Sequence, residues 1–136
     1  MKLDPSKPDD PLMWKVDDHD YEPGGIWATP ALARGMVYVA TNGGQLLGVD
    51  QKTGEVRWTK RLQGPTWQSP VVVDDVLIEG DCNGVLHGYD VSKPGADPPE
   101  LWTVTLGGCI ESTPAVWHGR IYVGTRAGRF FAIGDE

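Results

Sequence analysis

Apolar residues fall along this chain in short runs, alternating or continuous, each closed by a turn of Gly, Asn, Asp or Lys. The clearest example is residues 41–58, TNGGQLLGVDQKTGEVRW. Asn42-Gly43-Gly44 supplies positive φ at little cost and predicts a hairpin turn. Residues 45–50 follow as a strand. Gln51-Lys52-Thr53-Gly54 is a polar turn ended by Gly, and 55–60 alternates around Val56 and Trp58 as the next strand. No run keeps the helical spacing of apolar residues beyond two turns, and none approaches the ~18 apolar residues of a membrane span.

The pattern recurs. Thr29-Pro30, Ser69-Pro70 and Thr113-Pro114 lie 40 and 44 residues apart. Eight residues after each Pro comes Tyr38, Ile78 or Tyr122, and fourteen after it comes Gly44, Gly84 or Gly128. Twenty after it come Asp50 and Asp90, while the third copy has Gly134 followed by Asp135. Each copy hands over at a Trp: Trp14, Trp58 and Trp102, spaced by 44. The variable part is the Pro- and Gly-bearing loop 91–100, as expected of insertions in repeat folds.

The first copy predicts strands at 27–32, 37–41, 45–50 and 55–60; the second at 67–73, 76–80, 85–89 and 101–105; the third at 111–117, 120–125 and 129–133. Four short antiparallel strands per ~40–45 residues is the period of a propeller blade. The expected class is all-β: a β-propeller segment of three four-stranded antiparallel blades, the third lacking its outer strand. Residues 1–25 would end a preceding blade and lead into the first, with blade 1 at 26–60, blade 2 at 61–105 and blade 3 at 106–136. Lys2-Leu3-Asp4 followed by Trp14 repeats Gly88-Tyr89-Asp90 followed by Trp102, so the chain is expected to begin in mid-blade. Three blades leave a ring open. The expected partners are therefore the remaining blades, copies of the chain itself, or a partner chain.

Composition sharpens this only slightly. Gly accounts for 18 of 136 residues, roughly double the usual share, which suits turns. A net charge of −7 and a pI near 4.8 argue against a nucleic-acid partner, which needs clustered Lys and Arg. Arg120, Arg126 and Arg129 are the one local basic group and read as solvated loop and edge positions. The first 13 residues are polar and Pro-rich, unlike a secretory signal peptide.

The segment 48–58 fits x-D-x-x-T-G-x-x-x-W through Asp50, Thr53, Gly54 and Trp58. With the preceding VYVATNGG it resembles the repeat of pyrroloquinoline-quinone-like (PQQ-like) β-propellers, a family that includes quinoprotein alcohol dehydrogenases and outer-membrane assembly scaffold lipoproteins. The resemblance covers nearly the whole chain and is weakest where 91–100 replaces the Thr-Gly pair. It implies that Trp14, Trp58 and Trp102 are girdle residues packed on the neighbouring blade, with Asp50 and Thr53 bracing the turn. It also implies an extracytoplasmic location. It does not carry the cofactor with it. Quinoprotein dehydrogenases hold the quinone between a Trp and an adjacent Cys-Cys disulfide, with a calcium ion beside it. Here Cys82 and Cys109 are not adjacent, and no carboxylate set has a recognisable calcium pattern. Neither PQQ nor calcium is expected, and no metal site or catalytic residue is assigned.

The positions that break the repeat are the candidate site. Trp27, Trp67 and Glu111 all stand three residues before the Pro and should share one height near the channel mouth. They are either a ligand or peptide site of two amphipathic aromatics and a carboxylate, or a plug packed on neighbouring blades. Cys82 and Cys109 map to the same rim, close enough to bond. A disulfide, two buried thiols and a metal site completed by His87 are the three readings. His19 and His118 have no assigned role, and Asp17, Asp18 and Asp20 around Tyr21 read as a solvated acidic loop. The function expected is a non-catalytic binding or scaffolding module. The alternative is part of a quinoprotein dehydrogenase whose catalytic residues lie in other blades.

Overall fold

The computed structural model describes residues 6, 12–17 and 25–135. The readings placed on Lys2-Leu3-Asp4, Asp18, His19, Asp20 and Tyr21 lie outside these residues. Eleven strands form three antiparallel sheets, and no helix occurs among the described residues. Blade 1 holds β1 (Ala31–Ala33), β2 (Met36–Thr41), β3 (Gln45–Asp50) and β4 (Val56–Arg61), in that spatial order. Blade 2 holds β5 (Val71–Val73), β6 (Val76–Gly80), β7 (Val85–Asp90) and β8 (Glu100–Thr105). Blade 3 holds β9 (Ala115–Trp117), β10 (Arg120–Thr125) and β11 (Arg129–Ile133). The chain is a segment of a β-propeller.

The innermost strands are shorter than the hydropathy pattern predicts. Each begins immediately after Pro30, Pro70 or Pro114 and runs for three residues. Proline has no N–H to give a ladder, so pairing starts only beyond it. Residues 27–30, 67–70 and 111–114 are rim loops. Residues 13–16, within the segment expected to end a preceding blade, are not in a strand.

Alternation sorts the side chains into two faces per sheet. Met36, Tyr38, Ala40, Leu46 and Trp58 of blade 1 face Leu77, Tyr89 and Val91 of blade 2 in one buried cluster. Ile78, Leu86 and Leu106 of blade 2 meet Val123, Phe131 and Ile133 of blade 3 in a second. Trp14 and Val16 pack on the remaining flank of blade 1, against Val37, Leu47 and Val49. Trp14 lies over Gly54, where a Cβ would sit 2.7 Å from the indole, and its Nε1 donates to the Gln51 carbonyl at 3.0 Å.

Two glycines make room for the other indoles. Gly48 pairs with Trp58 and Gly88 with Trp102 across adjacent strands, each next to a register shift. A Cβ on Gly48 would lie 2.1 Å from the Trp58 ring, and one on Gly88 2.2 Å from that of Trp102. The turn between Gly48 and Trp58 is braced by two side chains. Asp50 Oδ1 accepts from the Lys52 and Thr53 amides at 2.8 and 3.0 Å, and Thr53 Oγ1 accepts from Glu55 N at 3.2 Å. Those backbone donors hold the exposed Asp50 carboxyl below its usual range.

Candidate functional site: the rim of blades 1 to 3

The rim is built from the loops before β1, β5 and β9 and from the β2–β3, β6–β7 and β10–β11 turns. One backbone bond ties each loop to the turn of its own blade: Asn42 N to Gly25 O, Cys82 N to Pro65 O, and Arg126 N to Cys109 O, all between 2.8 and 2.9 Å. Cys82 and Cys109 are joined by a disulfide, a separation of 27 residues. It links the β6–β7 turn of blade 2 to the loop entering blade 3. The thiol and metal readings give way to this bond. His87, offered as a third ligand, points elsewhere. The sulfurs and the Glu111 carboxylate do lie within 4.8 Å of one another, but two of the three are already bonded to each other.

Trp27 and Trp67 are brought together. Their rings stack at 6.2 Å between centroids with 29° between planes, and Trp27 is 73% exposed. Glu111 stands apart from them. It pairs with Arg126 through Oε1, 3.1 Å from Nη1, beside the disulfide. The rim therefore presents an aromatic shelf on blades 1 and 2 and an ion pair on blade 3.

Behind the shelf lies a buried polar network that hydropathy alone misses. Glu79, Asp81, Thr66, Gln68 and His87 are all buried in blade 2. Thr66 Oγ1 donates to Glu79 Oε1 at 2.6 Å, while Glu79 Oε2 has no hydrogen-bond partner among the described residues. Gln68 orients its amide so that the oxygen accepts from Gly80 N at 3.0 Å and the nitrogen donates to Ser112 O at 3.3 Å. Asp81 Oδ1 accepts from the Asn83 and Val85 amides, and Oδ2 from Gln63 N at 3.2 Å. His87 bridges two carboxylates, Nδ1 lying 3.1 Å from Glu100 Oε2 and Nε2 3.3 Å from Asp81 Oδ2. Burial pushes the Glu79 carboxyl well above the usual carboxylate range, against the opposing hydrogen bond from Thr66. Burial likewise raises Tyr89, which stacks on His87 at 6.0 Å.

The signal for this network was in the repeat. At Glu79 the other copies have Val39 and Val123; at His87 they have Leu47 and Phe131; at Thr66 they have Ile26 and Ile110. A buried polar group costs free energy unless it is bonded. Three such replacements in one blade therefore mark a specialised region. Thr66 and Gln68 flank Trp67, so the network anchors the loop that carries the shelf.

The family described as outer membrane protein assembly factor BamB matches residues 3–96. The chain is 32% identical over 114 residues to outer membrane protein assembly factor BamB of Burkholderia pseudomallei (strain K96243), covering 83% of this chain and 29% of that protein. It is 30% identical over 105 residues to the protein of the same name from Moranella endobia (strain PCIT), covering 71% of this chain and 25% of that one. Among solved structures, BamB from Moraxella catarrhalis superposes with a TM-score of 0.74 at 24% identity, over 90% of this chain and 36% of that one. Quinohemoprotein alcohol dehydrogenase from Comamonas testosteroni superposes at 0.62 and 22% identity, over 74% and 17%. These two share the fold. The chain spans under a third of the length of the curated relatives it matches.

Proposed function

The chain belongs to the family of outer membrane protein assembly factor BamB, and from that premise we propose that it is a non-catalytic binding module, a propeller segment that offers its rim to a partner polypeptide. The observation that carries this is the Trp27–Trp67 stack, in which Trp27 is exposed and Trp67 half-buried. An indole held open to solvent against a half-buried neighbour gains little internal packing, whereas a rigid aromatic anchor suits a protein partner. The Glu111–Arg126 pair on the neighbouring blade supplies polar register. The relatives are named as assembly factors for outer membrane proteins, which supports an extracytoplasmic site of action, and so does the disulfide.

The donor set does not fit a quinone and its calcium. The Cys82–Cys109 disulfide joins two blades instead of two adjacent residues, and the carboxylate nearest to it is paired with Arg126.

The test is binding to an array of short peptides tiled over outer membrane β-barrel proteins. Trp27→Ala should weaken the bound peptides at least about tenfold while leaving stability within ~0.5 kcal/mol. Trp58→Ala, a girdle truncation, should instead cost ~3–5 kcal/mol. Unchanged binding by both Trp27→Ala and Trp67→Ala, or a Trp27 cost as large as that of Trp58, would reject the rim as the binding surface.

A further inference from the structure

The two blade junctions use the same repeat positions, so the first serves as an internal standard for the second. In the first, Met36 and Tyr38 of β2 are buried at 3% and 1% exposure, and the Tyr38 ring lies 5.8 Å from Trp58. Val72 and Leu77 of blade 2 pack opposite them. On the face of the β1–β2 and β5–β6 turns, the junction is bridged by Arg34, whose Nη2 donates to Asp75 Oδ2 at 2.8 Å.

In the second junction the same offsets hold smaller groups. Val76 replaces Met36 and Ile78 replaces Tyr38. The lost thioether and phenol leave an open pocket of about 470 Å³. Its walls include Val76, Ile78, Trp102, Val116 and Ile121. Trp102 is half-buried where Trp58 is buried. The bridge is gone as well. Asp74 stands where Arg34 stood, and Gly119 where Asp75 stood. Asp74 lines the mouth, exposed, with no counter-charge among the described residues. The other lip is Trp117, which meets His118 edge-on at 4.6 Å.

We infer that the blade 2–blade 3 junction is a receptor pocket for one aromatic side chain of a partner polypeptide, with a neighbouring basic side chain pairing with Asp74. The partner would supply in trans what the first junction supplies for itself in Tyr38 and Arg34. Charge complementarity favours the basic neighbour: the mouth carries an unpaired carboxylate in a chain of net charge −7. The inference rests on the reading of the chain as a protein-binding module. It uses the opposite end of the strands from Trp27 and Trp67, so either surface can fail alone.

The probe is the N-acetylated dipeptide amide Arg-Tyr, titrated while the indole N–H signals of Trp102 and Trp117 are followed by NMR. Saturable shifts confined to those two indoles, leaving Trp27 and Trp67 unmoved, are expected. Replacing Arg by Asp in the probe, or making Asp74→Asn in the protein, should weaken binding about two- to fivefold, as an exposed ion pair does. Rebuilding the first junction with Val76→Met and Ile78→Tyr should fill the pocket and weaken binding at least about tenfold without lowering the thermal midpoint. If that double variant does not fold, Ile78→Phe alone replaces it. The inference is overturned if the indoles do not shift saturably, if the filled variant binds as well as the parent, or if Arg-Tyr and Asp-Tyr bind alike.

Discussion

At the scale of single residues, Glu79 stands out. Its repeat partners are valines, and one of its oxygens is buried without a hydrogen-bond partner among the described residues. Burial raises its folded pKa, so between the unfolded value near 4.5 and the higher folded value the native state holds a proton that the unfolded state has released. Stability then falls as pH rises across that window. Glu79→Gln keeps an acceptor for Thr66 and removes the titration. Its stability relative to the parent should grow from pH 4.5 upward, read as urea midpoints across mildly acidic to mildly alkaline pH. Parallel profiles for the two proteins would mean that Glu79 is ionised in the fold. None of this was visible in the hydropathy of one strand, where Glu79 and His87 are single polar residues after apolar ones. Only comparison at fixed distance from Pro70 exposes them. By contrast, Trp14, Trp58 and Trp102 stand out in the sequence, because a tryptophan recurs every 44 positions.

At the scale of elements, the strands followed from turn chemistry and the rim did not. The β2–β3, β6–β7 and β10–β11 hairpins stand where Gly44, Gly84 and Gly128 adopt positive φ. The inner strands were overextended because they were started at Trp27, Trp67 and Glu111, three residues before each Pro, while the missing N–H of proline forbids the ladder. The nearness of the two cysteines was legible from register, while their bond was one of three readings. Cys82 lies twelve residues after one Pro and Cys109 five before the next, offsets that the fold brings to one rim. Closing a loop of 27 residues should contribute about 3 kcal/mol by constraining the unfolded chain. Thiol titration of the unfolded protein without reductant should find no free thiol, and reduction should lower the urea midpoint by a matching amount. Two titrating thiols would place both cysteines in the reduced form.

At the scale of the whole molecule, the blade 3 face turned away from blade 2 is uncovered among the described residues. Phe130 is 74% exposed at the repeat position where Leu46 and Leu86 are fully buried. Among the described residues the outer edge of β11 has no strand beside it. Apolar faces and free edges of this kind drive association. The isolated chain should therefore associate with rising concentration in light scattering, and Phe130→Asp should shift it toward monomer. A monomer at every concentration would mean that this face is satisfied in some other way.

The glycine–indole pairs act as a keyhole that selects what may be laid beside a blade. Gly48 and Gly88 leave the third strand bare, so the strand outside it can fold an indole flat across the gap. In blade 3 the same place is occupied by Ala132, and its methyl group fills that keyhole. Any strand that completes the sheet along β11 is thereby filtered by side-chain shape. One that carries a tryptophan at the matching register has to turn the ring away, and one with a slimmer side chain seats without adjustment.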